Sequence, residues 1–343
     1  MRKLALSFVA FALIAVSFYG CDDRQGPENP LGLDNPQLKV TGPKGGYELV
    51  SAGGLSTWGY AINNRGQVVG EMDTSSGDRH GFIWDGREVT DLGTLGGVTS
   101  VAADINNRGQ VVGVSEAISA WRAFLWQDGE MTDIGTLGGN SSSAWGINDR
   151  GQVVGASGTV AGPSHAFLWK NGEMTDLGTL GGYASARGIN NHGQVVGRSD
   201  PGTGYNHAFL WENGVMTDLG TLGGPVSQAE DINERGQIVG DSDTASGQRH
   251  AFLWENGQMI DLGTLGGVKS VAPTINSRGQ VVGYSQISTG AWHGFLWENG
   301  EMIDLGPASH QCWAHGINNR GQIAGDCYAG GSTYHATVWT PTS

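Results

Sequence analysis

The chain has 343 residues, including 59 glycines and 10 prolines, and its formal net charge at pH 7 is −14. Its 19 lysine and arginine residues are scattered and form no basic patch, which argues against binding to nucleic acid or to an anionic membrane surface. Length alone would allow two ordinary domains. The glycines recur at fixed offsets, however, so one closed array of repeats can account for nearly the whole chain.

Residues 1–21 are predicted to be an export signal. Arg2 and Lys3 give it a positive start, and the apolar stretch from Leu4 to Phe18 has the length of a signal peptide and is short for a membrane span. The following Ser17-Phe-Tyr-Gly-Cys21 resembles a bacterial lipobox. That resemblance implies that Cys21 is lipidated and becomes the new N-terminus. An ordinary secretory signal and an uncleaved anchor are the alternatives.

Residues 22–45 are rich in proline, glycine, aspartate and asparagine and show no apolar periodicity. This composition is typical of a flexible tether. We therefore expect a linker that holds the following domain away from the membrane.

Residues 46–343 contain one unit repeated seven times. The turn glycines and the tryptophans advance in register by 42 or 43 residues, at Gly66, Gly109, Gly151, Gly193, Gly236, Gly279 and Gly321, and at Trp84, Trp126, Trp169, Trp211, Trp254, Trp297 and Trp339. Units of about 40–45 residues with four short strands each are typical of a β-propeller. The pattern predicts an all-β, seven-bladed β-propeller with blades at about 55–97, 98–139, 140–182, 183–224, 225–267, 268–309, and 310–343 together with 46–54.

The unit from Ala144 to Gly182 illustrates the four strands. Asn148 and Gly151 occupy the first and last positions of a predicted type I turn, and Asn171-Gly172 is a strong signal for a type I′ hairpin. The third strand, His165-Ala-Phe-Leu-Trp169, places apolar residues on both faces, so it should be covered on both sides.

The last unit stops after three strands, at Trp339. Gly46-Tyr-Glu-Leu-Val-Ser-Ala-Gly-Gly54 matches a fourth strand, with Glu48 at the position of Asp91, Asp133, Asp176, Asp218, Asp261 and Asp304. The N-terminal strand should therefore complete the last blade and close the ring.

The unit resembles the extracellular HAF repeat of bacterial proteins. The name is spelled out at His165-Ala-Phe167, His207-Ala-Phe209 and His250-Ala-Phe252, and the likeness covers about residues 46–343. It implies an exported bacterial protein and brings no catalytic residues to carry over.

A histidine opens the third strand of most units. In a ring of units these histidines would lie too far apart to share one metal ion. We expect each to bond within its own blade, to the fourth-strand aspartate and to the serine after the second strand, such as Ser157, Ser199 or Ser242. No nucleophile elbow, zinc spacing, EF-hand loop or P-loop is present.

Cys312 and Cys327 face each other across one hairpin, within one residue of register. In an exported protein this favours a disulfide, with two buried free thiols as the alternative. The register depends on whether the intervening turn carries a bulge.

Function is expected where the blades differ. One variable region is the loop before the third strand, with Trp121, Tyr205, Trp292, Tyr328 and Tyr334. The other is the inner-strand position two residues before each isoleucine, with Tyr60, Ala103, Trp145, Arg187, Glu230, Pro273 and His315. The candidate ligand-binding residues are Tyr60, Trp121, Trp145, Arg187, Tyr205, Glu230, Trp292, His315 and Tyr334.

Blade 5 also carries acidic residues that could hold Ca²⁺ through oxygen ligands, namely Glu230, Asp231, Asp241 and Asp243. A solvated acidic surface is the alternative. No other cofactor is implied.

The sequence as a whole favours a lipid-anchored, monomeric binding module of the cell envelope, not an enzyme, whose ligand is a glycan, peptide or protein. Two other readings stay open. One is a polysaccharide hydrolase or lyase that uses the blade 5 carboxylates, and the other is a purely structural surface protein.

Overall fold

The computed structural model describes residues 40–42, 45–50, 56–160, 162–306, 311–330 and 333–341. The predicted signal, Cys21 and most of the predicted tether lie outside these ranges. The described residues form 29 β-strands, and no helix among them is long and apolar enough to cross a membrane.

The strands fall into seven units of four, and the first two strands of each unit flank the turn that carries the recurring glycine. The first strands are β3 (Thr57–Ile62), β7 (Gly96–Ile105), β11 (Gly138–Ile147), β15 (Ala184–Ile189), β19 (Gly223–Ile232), β23 (Gly266–Ile275) and β27 (Cys312–Ile317). The second strands are β4 (Val68–Asp73), β8 (Val111–Ala117), β12 (Val153–Thr159), β16 (Val195–Ser199), β20 (Ile238–Thr244), β24 (Val281–Ile287) and β28 (Ile323–Gly330).

The third strand of each unit holds the recurring tryptophan. The third strands are β5 (Arg79–Trp84), β9 (Trp121–Gln127), β13 (His165–Lys170), β17 (His207–Glu212), β21 (Arg249–Glu255), β25 (Trp292–Glu298) and β29 (Thr333–Pro341). The fourth strands are β6 (Val89–Asp91), β10 (Glu130–Asp133), β14 (Glu173–Gly178), β18 (Val215–Asp218), β22 (Gln258–Asp261), β26 (Glu301–Asp304) and, for the last unit, β2 (Gly45–Val50).

Within each unit the four strands pair antiparallel in chain order, from the first strand to the fourth. We number the units 1 to 7 from β3–β6 onward. Units 1 and 2 also share a single parallel bridge, between Arg79 and Thr99, and units 5 and 6 share the equivalent bridge between Arg249 and Lys269.

The N-terminal strand β2 completes unit 7, because it pairs with β29 along its whole length. Two details differ from the sequence prediction. The three-residue strand β1 (Val40–Gly42) pairs with β2, so the end of the predicted tether belongs to the sheet. The pairing of β2 with β29 is also shifted by one residue from the pairing that the sequence alignment of the fourth strands predicts.

Tyr47 pairs with Trp339 as Met174 pairs with Trp169, which places Glu48 opposite Val338. Glu48 therefore takes the register position of Thr175, and Leu49 takes that of the recurring aspartate. Consistent with this, His335 Nδ1 is buried without a hydrogen-bond partner in the described structure.

The described residues form a core of seven apolar clusters, each between two neighbouring units. Between units 2 and 3, for example, Val112 and Ile134 pack with Ile147, Val153 and the fully buried Phe167. Equivalent clusters follow for every neighbouring pair, and the last one joins unit 7 to unit 1 through Val338, Ala336 and Phe82. Each unit thus buries both faces of its sheet, as the apolar third strand predicts.

A ring of buried asparagines connects all seven units. The side-chain nitrogen of Asn63 donates to the carbonyl oxygen of Asn106 in the next unit, at 3.1 Å, and the same bond recurs at 3.0–3.1 Å until Asn318 donates back to the carbonyl oxygen of Asn63. Each asparagine also accepts two backbone N–H bonds from its own turn, as Asn63 does from Arg65 and Gln67.

Cys312 and Cys327 form a disulfide between β27 and β28, with Cα atoms 4.1 Å apart. In units 2, 3, 5 and 6 the same two paired positions are both serine, as at Ser142 and Ser157. Unit 7 therefore replaces a serine pair of the repeat with a covalent cross-link.

Candidate functional site

A cavity of about 2200 Å³ is lined by residues from the first strands of all seven units. The asparagine ring lines part of its wall, together with the adjoining turn residues such as Asn64 and Asn107. The cavity residues that differ most in chemical type between units lie on or beside the first and second strands.

A β-bulge in each first strand directs one variable side chain to the cavity. In unit 3, Ala144 pairs with Gly155 and Gly146 pairs with Val154, which leaves Trp145 as the unpaired extra residue. The corresponding unpaired residues are Tyr60, Ala103, Arg187, Glu230 and His315, and in unit 6 the bulge spans Ala272 and Pro273. Bulges commonly redirect side chains beside binding sites, and here they do so once per unit.

The bulge requires a glycine on the opposing strand. A Cβ atom added to Gly155 would collide with the carbonyl oxygen of Ser143, and the equivalent glycines of the other units meet the same obstacle. The recurring second-strand glycine is thus explained by the close approach of the two backbones.

The cavity contains eight of the nine residues predicted to bind a ligand, which are Tyr60, Trp121, Trp145, Arg187, Glu230, Trp292, His315 and Tyr334. Tyr205 is the exception. It does not line the cavity and is 53% exposed, because it follows a turn in which Gly202, Thr203 and Gly204 all donate backbone N–H bonds to Asp200.

Three variable positions besides the bulge residue face the cavity in every unit. The first two were not predicted from the sequence. They are the first-strand residues Trp58, Val101, Ser143, Ser185, Gln228, Val271 and Trp313, and the second-strand residues Glu71, Val114, Ala156, Arg198, Asp241, Tyr284 and Asp326. The third position lies at or next to the start of the third strand, at Arg79, Trp121, Ser164, Asn206, Arg249, Trp292 and Tyr334. A comparison of all repeat columns within the chain would have found them, since their neighbours on either side are nearly constant.

Units 6, 7 and 1 form an aromatic wall. Tyr284 makes edge contacts with Trp292 at 5.5 Å and with His315 at 5.8 Å between ring centroids. Trp58 lies 5.8 Å from Tyr334, and the guanidinium of Arg79 lies 4.5 Å over the Trp58 ring.

Buried polar groups lie among these rings. His315 Nε2 is 2.9 Å from Asp326 Oδ1, and the Tyr60 hydroxyl donates to Glu71 Oε1 at 2.9 Å. Burial raises the pKa of Glu71, while Arg79, 3.2 Å away, opposes this shift. Burial, with Glu71 beside it, also raises the pKa of Tyr60 well above its usual range, so its hydroxyl stays protonated.

Units 4 and 5 form a charged wall next to the aromatic one. Arg187 lies 4.6 Å over the Trp145 ring, and its Nε is 3.8 Å from Glu230 Oε2. Arg198 Nη1 donates to Gln228 Oε1 at 2.9 Å. This wall gives the cavity arginine, carboxamide and carboxylate groups within an otherwise acidic protein.

The four blade 5 carboxylates are not gathered into one site. Asp241 is buried and bound by Arg249 and by Gln228, whereas Asp231 accepts the backbone N–H groups of Ile232 and Ile275. Within the described ranges, no group of three or more histidine, cysteine, aspartate or glutamate side chains could hold a metal ion. The geometry therefore does not favour the predicted Ca²⁺ alternative.

The recurring histidines bond outside the cavity to the fourth-strand aspartates. In units 1, 3, 4, 5 and 6 the distance from His Nδ1 to the nearer aspartate oxygen is 2.8–2.9 Å, as between His165 and Asp176. The expected serine bond is wrong. Ser157 Oγ instead accepts the backbone N–H of Leu137 at 2.8 Å, which ties the start of the unit to its second strand.

Solved β-propeller structures resemble this fold at low sequence identity. An oligogalacturonate lyase in complex with manganese aligns with 90% of this chain and 97% of its own, with a TM-score of 0.57 and 9% identity. The β-propeller domain of the Trilobed protease from Pyrococcus furiosus aligns over 83% and 93% of the two chains, with a TM-score of 0.55 and 9% identity.

A puromycin-hydrolysing peptidase from Mycobacterium tuberculosis aligns with 84% of this chain but 52% of its own, with a TM-score of 0.55 and 12% identity, so the chain spans about half of that peptidase. No protein-family model and no curated protein sequence matches the chain. At these identities the likeness shows the fold alone, which is all-β and β-propeller-like.

Proposed function

We propose that the chain is a closed seven-bladed β-propeller of the bacterial cell envelope that binds a glycan in its central cavity without chemical turnover. The observation that carries the proposal is the separation of constant from variable residues. The repeated glycines, asparagines and apolar residues build the frame, while the residues that differ between units line the cavity.

Closure of the ring is supported by contacts between unit 7 and unit 1. These contacts comprise a core cluster, the bond from Asn318 to the Asn63 carbonyl, and the bond from the Ala336 N–H to Thr57 Oγ1 at 2.9 Å. They repeat the contacts found between other neighbouring units.

A glycan is favoured over other ligands by the aromatic wall. Flat aromatic side chains offer large contact area at low entropic cost, and their polar neighbours can bond to hydroxyl groups. Tyr284, Trp292, Trp58 and Tyr334 provide such rings, and Tyr60, Asp326 and Gln228 provide donors and acceptors.

The export signal and the lipobox-like Cys21 support our proposal of export and lipid attachment, and the resemblance to HAF repeats supports export. The disulfide between Cys312 and Cys327 supports export, because such bonds persist in oxidising compartments. Membrane fractionation of the native chain and of Cys21→Ala tests the anchor, since the variant should move to the soluble fraction.

The ligand is tested by a thermal-shift screen of residues 22–343 against oligosaccharides, peptidoglycan fragments, peptides and Ca²⁺. A ligand present at about 100 times its Kd adds about 2.7 kcal/mol to the free energy of unfolding. Shifts with oligosaccharides support the proposal, whereas shifts with peptides alone contradict it. Turnover that disappears in Glu230→Gln would make the protein an enzyme, and no shift with any ligand would favour a structural role.

Trp292→Ala should lower the affinity for the oligosaccharide about tenfold or more, because it removes an aromatic ring from the cavity wall. The matched control is Tyr205→Ala, which removes an exposed aromatic ring outside the cavity. Isothermal titration calorimetry on both variants checks the result. Equal losses in the two variants would show that binding does not occur in the cavity.

A further inference from the structure

Unit 4 contains three buried polar atoms without a hydrogen-bond partner in the described structure. They are Ser185 Oγ, Arg187 Nε and Arg198 Nε, in side chains that belong to residues 1%, 9% and 7% exposed. All three residues line the central cavity. Buried polar groups in folded proteins are nearly always hydrogen-bonded, so three such donors on one wall indicate the place of a ligand.

The strand geometry explains why these side chains share a face. Ser185 and Arg198 are direct partners between β15 and β16, and Arg187 is the bulge residue of β15. Unit 4 is thus the only unit in the described part of the chain whose second-strand and bulge positions both carry arginine.

The carboxylates near this site do not satisfy the unpartnered arginine atoms. Asp241 is bound directly by Arg249 and acts on Arg187 only through space, and Glu230 Oε2 lies 3.8 Å from Arg187 Nε, which is beyond hydrogen-bond distance. Burial lowers the pKa of Arg187, and the positive charge of Arg198 acts in the same direction even though Glu230 opposes both. Two buried guanidinium groups side by side would be stabilised by a further anion.

We propose that Ser185, Arg187 and Arg198 form a subsite for the carboxylate of an acidic sugar, such as a uronic acid residue of a glycan. The inference rests on the proposed glycan-binding function. A planar carboxylate matches the fork of guanidinium donors, and the Ser185 hydroxyl supplies a neutral donor. The guanidinium of Arg187 stacks on the face of the Trp145 ring. This stacking leaves the N–H groups at the edge of the guanidinium for the ligand.

The test compares galacturonic acid hexamers with the same hexamers as methyl esters, on residues 22–343, by isothermal titration calorimetry. The two probes differ in charge and share the sugar ring. The acid should bind about tenfold or more tightly than the ester, as expected for charge-assisted hydrogen bonds. Inorganic phosphate and sulfate, at matched ionic strength, should not displace the acid hexamer at millimolar concentration.

Arg187→Gln with Arg198→Gln should remove the preference for the acid, so that the acid and the ester bind with similar affinity. The matched control is Arg235→Gln, an exposed arginine of unit 5 outside the cavity. Ser185→Ala should weaken binding of the acid without lowering the melting temperature, because it removes a buried hydroxyl that has no partner in the protein. This variant keeps the test decisive if the double arginine variant fails to fold.

The results separate the two proposals. If acid and ester bind equally well, or if the preference survives in Ser185→Ala and in the arginine variant, the carboxylate subsite is wrong while glycan binding stands. If phosphate displaces the acid hexamer, the site is for inorganic oxyanions and the assignment to a sugar carboxylate is wrong. If neither hexamer nor any other oligosaccharide binds, the proposed function itself fails.

Discussion

Two aspartates in the first strands connect neighbouring units through the backbone. Asp104 accepts the N–H of Ile105 at 2.8 Å and that of Ile147, in the next unit, at 2.8 Å. Asp231 does the same with Ile232 and Ile275, at 2.7 and 3.0 Å. Burial raises the pKa of Asp104 to about 6 and that of Asp231 to about 7, although the backbone bonds pull the other way.

These shifts predict that the protein is more stable in mild acid than at neutral pH. A carboxyl group with a pKa of 3.8 when unfolded binds its proton more tightly in the folded chain. The stabilisation is therefore complete below about pH 3.8 and is lost as the pH rises through 6 and 7. We expect the two groups together to lower the free energy of unfolding by on the order of 6 kcal/mol between pH 4 and pH 7.5, because each pKa unit corresponds to about 1.4 kcal/mol.

Urea denaturation at several pH values measures this slope, and Asp231→Asn should flatten it. Asp128→Asn is the matched control, since Asp128 lies at an exposed turn where units 3 to 6 already carry asparagine, as at Asn171. An unchanged slope in Asp231→Asn would refute the assignment. The sequence left open a shared acidic site in unit 5 because these residues are close in the chain. In the structure they have separate partners, which are backbone N–H groups for Asp231 and Arg249 for Asp241.

The second-strand glycine and the first-strand bulge opposite it together direct the variable residues toward the cavity. In β12, Gly155 leaves no room for a Cβ atom beside the Ser143 carbonyl, whereas a Cβ atom on Gly158, in the same strand, would have its nearest contact at 3.6 Å. Gly155→Ala should therefore lower the free energy of unfolding by about 1 to 3 kcal/mol. Gly158→Ala should change it by less than about 0.5 kcal/mol. Denaturation midpoints of the two variants check this, and equal values would show that the close approach is not required.

The sequence predicted the strands and turns better than it predicted the bulges. The hairpin between Cys312 and Cys327 illustrates why. Counting from the turn left the register open by one residue, and the structure resolves it by an unpaired His315 within the strand. A bulge depends on how two backbones approach each other, which the alternation of apolar and polar residues does not specify.

Across the whole molecule, the period of glycines and tryptophans predicted seven units, and the missing fourth strand of the last unit predicted the role of the N-terminal strand. The asparagine ring was not predicted, because an asparagine before a turn has a complete local explanation in capping that turn. Asn148, for instance, accepts the N–H groups of Arg150 and Gln152 and also donates to Asn190 O at 3.0 Å in the next unit. A contact between repeats leaves no mark in the sequence beyond the repeat itself.

Because β2 is the fourth strand of unit 7, its removal should destabilise the array of units. Deletion of residues 40–50 leaves β29 with an unpaired edge, and exposed edges associate with other chains. We expect a lower melting temperature and concentration-dependent association, measured by differential scanning fluorimetry and by light scattering after size exclusion.

Deletion of residues 24–36, in the predicted tether, is the control and should leave both properties unchanged. If the chain without residues 40–50 melts like the full chain and stays monomeric, then the N-terminal strand is an accessory, and the contacts of unit 7 with unit 1 through Val338 and Asn318 are sufficient to hold the ends of the array together.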